Sequence, residues 1–271
     1  MLAELYRLIG QQVVEKLNEL RIPAQSRVWW CPTSAFGYLP LHAMGPISSD
    51  SKDPRYFSDL YISSYTPTLS ALIASREPAT RPSDPSPPGA WPDAQAIRDL
   101  QATSPSLGRG NATLDAILDG DGLQRHRFIC ISYNGELKTG RPFEAFIRFP
   151  NGEYFTLLDF ARSQHLAGEF ALLSGSHTAE LTEGSIPDEA LHLSVAVQYY
   201  GYRSVIGTLW EMDNDGGRRD LEKAVFQSLL SGNEGGVPYY ERSARALRDA
   251  VQQMRHNMPL VQWVSYQHYG A

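Results

Sequence analysis

Phe170-Ala171-Leu172-Leu173-Ser174-Gly175-Ser176-His177-Thr178 passes from four apolar residues directly into a turn of small and polar ones. The same design stands upstream in Phe128-Ile129-Cys130-Ile131-Ser132-Tyr133-Asn134-Gly135. Each reads as a short buried strand that ends in a small-residue turn. In an α/β sheet, ligands sit beyond the carboxyl ends of the strands, so Asn134 and Ser176 occupy the places where chemistry is expected.

Outward from these strands the pattern alternates strand and helix. Leu2, Leu5, Leu8, Ile9, Val13, Leu17 and Leu20 recur at helical spacing and predict an amphipathic helix over 2–21, ended by Ile22-Pro23. Arg27-Val28-Trp29-Trp30-Cys31 and Tyr61-Ile62-Ser63-Ser64-Tyr65 read as strands, and Thr66-Pro67 as the N-cap and first position of a helix over 67–75. Phe143–Phe149 and Glu153–Leu157 read as a hairpin closed tightly by Asn151-Gly152. A helix is expected from Asp188 to Tyr200, stopped by Gly201, then a strand over Ser204–Trp210 and helices over 218–230 and 241–256. Strands separated by helical crossovers predict an α/β three-layer sandwich: a mainly parallel central sheet, helices on both faces, and a small β-hairpin. Six prolines lie between positions 78 and 92. The chain is therefore expected to be a single domain, 1–271, with a Pro-rich mobile insertion at about 78–111.

Composition removes several function classes. With 271 residues, 42% of them hydrophobic, the chain can bury a large core. Its net charge is −6 and no basic run interrupts the mixed charges, which argues against nucleic acid as a partner. The two cysteines, Cys31 and Cys130, each lie in an apolar stretch, and the start Met1-Leu2-Ala3-Glu4 lacks the pattern of a secretion signal. A cytoplasmic protein without disulfides and without a membrane span is expected. No Cys-x-x-Cys or His-Glu-x-x-His spacing occurs, and Gly108-Arg109-Gly110 lacks the context of a phosphate loop, so no metal and no cofactor are expected. Glu211, Asp213, Asp215, Gly216 and Glu222 match the spacing of a calcium loop, but a strand precedes them and the first ligand is Glu. The preferred reading is a strand-to-helix loop. His42 and His192 read as hydrogen-bonded structural histidines, Cys130 as a buried thiol, and Trp29, Trp30, Trp210 and Trp263 as core.

Several segments together resemble one family: Trp30-Cys31-Pro32-Thr33, Leu39-Pro40-Leu41-His42-Ala43, Ser64-Tyr65-Thr66-Pro67, Asp188-Glu189-Ala190-Leu191-His192-Leu193, Gly201–Trp210 and His268-Tyr269-Gly270. They are similar, in order, to the CHAT family, caspase-like domains of the cysteine-peptidase clan that also holds caspases and separases. Active members resemble His-Phe-Ala-Cys-His-Gly at the first turn, where the second His is the base, and Leu-Ser-Ala-Cys-Gln-Thr at the second, where Cys is the nucleophile. Placed on this chain, the base position is Asn134, the residue before it is Tyr133, the first His is Cys130, and the nucleophile is Ser176. The resemblance further implies that Gly135, Gly175, Asp213 and Asp215 border the substrate cleft. Tyr133 would partly fill it.

The replacements bear on one chemical step. A cysteine peptidase needs a thiolate, and a neighbouring imidazole takes its proton and later returns it to the leaving amine. An Asn amide cannot do this near neutral pH. Loss of a positioned base costs roughly a hundred- to ten-thousand-fold in rate, and a serine hydroxyl depends on that base more than a thiol does. His177 adjoins Ser176, but on an extended segment the two would face opposite ways. The expectation is a pseudopeptidase that works as a protein-interaction or regulatory module with a protein or peptide partner, in a family associated with defence and programmed cell death. Two alternatives stay open: an active peptidase that uses Ser176 or a non-standard base, and a protein that holds peptides without cutting them.

Overall fold

A computed structural model describes residues 1–47, 54–77, 128–131, 135–136, 146–148, 154–156, 168–175, 177–179, 192–211, 216–231 and 238–271. The Pro-rich stretch at 78–111, the helix start expected at Asp188 and the Asn151-Gly152 turn lie outside these residues.

The chain begins with α1 (Leu2–Leu5), which continues through a π turn (Tyr6–Gly10) into α2 (Gln11–Glu19). β1 (Arg27–Trp30), α3 (Phe57–Leu60), β2 (Ile62–Tyr65) and α4 (Leu69–Arg76) follow. β3 (Phe128–Ile131) leads to three short strands, β4 (Gly135–Glu136), β5 (Phe146–Arg148) and β6 (Tyr154–Thr156). The chain returns to the main sheet with β7 (Phe170–Leu173), α5 (Leu193–Tyr200) and β8 (Ser204–Thr208). It closes with α6 (Gly216–Leu230), α7 (Tyr239–Met254), α8 (Leu260–Trp263) and β9 (Tyr266–Gly270).

The main sheet has the order β1-β2-β9-β8-β7-β3. Four of its five seams are parallel; β8 and β9 pair antiparallel. β3, β7 and β8 therefore end at one edge of the sheet, while β1, β2 and β9 end at the other. A single transverse row, Trp30, Tyr65, Tyr269, Val205, Ala171 and Ile129, crosses all six strands and packs into one core with Leu193, Val195, Val197 and Leu5. The next residues along, Leu172 and Ile206, turn to the opposite face and pack with Leu221 and Val225 of α6 and Leu247 and Val251 of α7. This is the two-residue alternation of a pleated strand. It produces the three layers: helices α1, α2 and α5, the sheet, and helices α6 and α7.

Local features depart from the sequence reading in instructive ways. The N-cap of α4 is Thr68, whose hydroxyl accepts from Ala71 N–H at 3.0 Å, while Thr66 is buried and donates to the Thr68 carbonyl at 2.6 Å. Pro67 thus stands before the helix, in the bend that leaves β2. β5 and β6 pair antiparallel, with Arg148 opposite Tyr154. Gly201 does stop α5, with a φ of 127° that favours glycine. Trp30 and Trp263 are core, but Trp29 and Trp210 are half-buried. Trp29 lies on the edge strand beneath the guanidiniums of Arg27 and Arg76. Cys31, just past the end of β1, is exposed rather than buried, and Cys130 is partly buried against the α6–α7 core. No helix among the described residues is long and apolar enough to cross a membrane.

Candidate functional site

β3 and β7 are neighbours, and their parallel register pairs Phe128 with Phe170 and Ile131 with Leu173. Adjacent strands run about 4.8 Å apart, so β3 and β7 end side by side at one edge of the sheet. Asn134 follows Ile131 by three residues, and Ser176 follows Leu173 by three. Asn134, Ser176, Tyr133, Asp213 and Asp215 themselves lie outside the described residues. Gly135 opens β4 and pairs with Ile147, in the three-stranded sheet rather than the main one.

The backbone on either side of position 176 is held from three elements. Gly175 is buried, and its carbonyl accepts a hydrogen bond from the Thr208 hydroxyl at the end of β8. The Thr178 hydroxyl donates to the Leu173 carbonyl at 3.0 Å and accepts from Thr208 N–H at 2.9 Å. Ala179 N–H donates to the Thr208 carbonyl at 2.7 Å, and His177 N–H to the Trp210 carbonyl at 3.4 Å. From α5, the Ser194 amide and hydroxyl both donate to the Thr178 carbonyl, each at 2.9 Å. From α6, Arg218 donates to the Ser174 carbonyl at 3.3 Å and lies 3.5 Å from Glu222. Burial pushes the Glu222 carboxyl up, against the opposing pull of the Ser174 hydroxyl and Arg218.

Glycine is required where β8 passes this turn. A Cβ on Gly207 would stand 2.0 Å from Ser194 Oγ and 3.1 Å from Thr178 Oγ1. The close approach of β8 to the turn therefore depends on a missing side chain.

Sequence reasoning did not single out Arg218, Ser194, Thr178 or Thr208. The Arg218–Glu222 spacing of four on a helix was the available signal. Glu222, which matches the last place of the calcium-loop spacing set aside above, lies within α6, and its carboxyl faces Ser174 and Arg218. Among the described residues no group of His, Cys, Asp and Glu could hold a metal ion. His177 is not extended: its φ of 59° is left-handed, so strand alternation does not set its direction. His42 and His192 are structural. His42 Nδ1 is 2.9 Å from the Tyr65 hydroxyl, and burial pushes its pKa down to about 4. His192 caps α5, its Nδ1 accepting from Val195 N–H at 3.4 Å, and burial pushes its pKa down to about 3.

The family model for the CHAT domain matches residues 1–271. The chain belongs to the CHAT domain family. Among solved structures, this CHAT domain is similar to the separase–securin complex of Saccharomyces cerevisiae, with a TM-score of 0.50 and 10% identity over 98% of this chain. At that identity the likeness concerns the fold, a caspase-like α/β sheet; the CHAT domain spans 17% of the matched chain's length. No curated protein sequence is matched.

Proposed function

We propose that this CHAT domain is a pseudopeptidase, a caspase-like module that has lost hydrolysis and acts by binding a protein or peptide partner in the cytoplasm. The observation that carries the reading is the contrast between scaffold and side chains. The turn around position 176 is held by Thr208, Thr178, Ser194 and Arg218, yet the sequence supplies Ser176 and Asn134 where the family has its nucleophile and base. Without a proton acceptor, the serine hydroxyl stays protonated and unreactive toward an amide. A pre-set turn without a nucleophile suits retention of a bound segment better than its cleavage. Tyr133, Gly135, Gly175, Asp213 and Asp215 are the proposed lining of that cleft. The separase structure is itself a complex with another protein, which is consistent with a protein partner here. A role in defence or programmed cell death is the biological setting that fits the family.

The test is covalent labelling by an electrophilic peptide library, read by intact mass. The Ser176→Cys, Asn134→His double variant is expected to label and the wild-type chain to remain unmodified. Wild-type labelling at Ser176, or peptide hydrolysis abolished by Ser176→Ala, would overturn the proposal in favour of an active peptidase.

A further inference from the structure

The weakest seam of the main sheet lies between β2 and β9. β1 and β2 share four register pairs and β8 and β9 share five, but β2 and β9 share one, Tyr65 with Tyr269. Side chains cross where backbone bonds are few. Arg27 of β1 donates from Nε to Ser64 Oγ on β2 at 2.8 Å, and from Nη2 to His268 Nδ1 at 3.2 Å and the Ala271 carbonyl at 2.5 Å. Trp29 Nε1 donates to the Gly270 carbonyl at 3.0 Å.

The proton positions follow from donor chemistry. A guanidinium has no acceptor, so His268 Nδ1 accepts and its proton sits on Nε2. Nε2 faces Ser204 Oγ and Ser243 Oγ, each at 2.8 Å, and the two hydroxyls are 2.6 Å apart. Ser243 donates to the Tyr240 carbonyl at 2.7 Å, which leaves Ser204 to donate to Ser243. The circuit links β1, β2, β9, β8 and α7, and Ser204, Ser243 and His268 are at most 1% exposed. It is not a second nucleophile site, because the ring nitrogen facing the hydroxyls is the one that carries hydrogen.

We propose that the Arg27–His268 contact is an acid-sensitive latch that holds the β1–β2 pair against β9. Burial and the Arg27 charge hold His268 well below its ordinary value while the sheet is closed, so acid acts on the opened seam. There the imidazole regains its ordinary proton affinity, and once protonated at Nδ1 it has no acceptor for Arg27 and would set a buried cation against a part-buried one on closing. Of the charged groups around the site, Arg27 on β1 opposes a charge on His268; Arg76 on α4 repels Arg27 and Glu241 on α7 attracts it. The neighbouring titratable rings are Tyr65 on β2, Tyr269 on β9 and His192, packed on Tyr269 at 4.7 Å; burial favours the neutral form of each. Arg27 itself, lowered by burial to about 9, stays charged at neutral pH.

Hydrogen exchange read by mass spectrometry on the full chain tests this, with rates corrected for the intrinsic effect of pH. Between about pH 7 and about pH 5, exchange in 62–65 and 266–270 should rise at least about tenfold while 170–173 stays protected. His268→Gln can still accept from Arg27 and donate to Ser204, but cannot take up charge. It should abolish the rise. Should that variant fail to fold, Arg27→Gln reads the same latch: its seam should exchange at neutral pH as fast as the wild type does in acid. A flat wild-type profile, a rise shared equally by 170–173, an unchanged rise in His268→Gln, or full neutral-pH protection in Arg27→Gln would each overturn the proposal.

Discussion

Gly207→Ala tests whether the tight approach of β8 to the Ser174–Ala179 turn is as strict as the geometry requires. The added Cβ would lie 2.0 Å from Ser194 Oγ, far inside contact, while Thr178 Oγ1 at 3.1 Å and Ala179 Cβ at 3.2 Å need to yield by only a few tenths of an ångström. Ser194 must therefore change rotamer and give up its hydroxyl bond to the Thr178 carbonyl, a net loss of about 1 kcal/mol. Crowding in a close-packed layer adds about 1–3 kcal/mol, and the entropic gain of replacing glycine returns about 0.5 kcal/mol. The expected destabilisation is about 1.5–3.5 kcal/mol by urea unfolding. Ser194→Ala alone should cost about 1 kcal/mol. In that background the Gly207→Ala penalty should fall by more than about 1 kcal/mol, because the obstructing oxygen is gone. Strictly additive costs would refute the reasoning and place the strain elsewhere.

His42 and His192 should make the fold acid-sensitive. Both are neutral when folded, lowered to about 4 and about 3, whereas an unfolded histidine takes a proton near its ordinary value of 6.5. Their stabilisation is thus complete above that value and is lost as pH falls from it toward the folded values, by about 2 kcal/mol each at about pH 5. His192→Asn retains a capping acceptor and should flatten the urea midpoint's pH dependence by its share; an unchanged slope would count against this. Asp59 accepts from Arg255 at 2.7 and 2.8 Å, Gln252 at 2.9 Å and Tyr56 N–H at 2.8 Å. Burial raises its pKa, but these donors outweigh it and hold the carboxyl below its usual value, so its contribution is present above that value and fades in stronger acid. Arg255→Met should cost about 3 kcal/mol in thermal or urea unfolding, since it leaves a half-buried carboxylate without its cation; a loss below about 1 kcal/mol would show the pair to be well solvated. Thr208→Val should destabilise by about 1–2 kcal/mol through the lost bond to Gly175, with Thr208→Ser restoring most of it.

β3, β7 and most helices were legible because their signals are local. Apolar runs such as Phe170–Leu173, the helical spacing of Ala244, Leu247 and Val251, and Gly201 as a stop each need a few residues and no partner. β9 was not recognised as a strand. Tyr266-Gln267-His268-Tyr269-Gly270 is too polar to read as a central strand, yet all five residues are buried. The imidazole of His268 finds Arg27, Ser204 and Ser243, which lie far away in sequence, while Gln267 accepts from the Tyr269 hydroxyl two residues on. The reversal of strand direction at β8–β9 escaped the sequence for the same reason. The scaffold of the candidate site was missed because Thr178, Ser194, Thr208 and Arg218 carry no motif. They matter through carbonyls supplied by other elements.

The sequence by itself determined which groups stand at positions 134 and 176. Asn134 cannot act as a proton shuttle near neutral pH and Ser176 is not a thiol, and no fold alters the identity of those groups. The tertiary structure decided which positions meet. The register of β3 against β7 brings the ends of these two strands to one edge, and the reversal at β9 sets the imidazole of His268 against the guanidinium of Arg27. Local periodicity encodes which face of a strand is apolar, whereas strand order depends on burying both faces of the sheet at once, a condition that involves the whole chain.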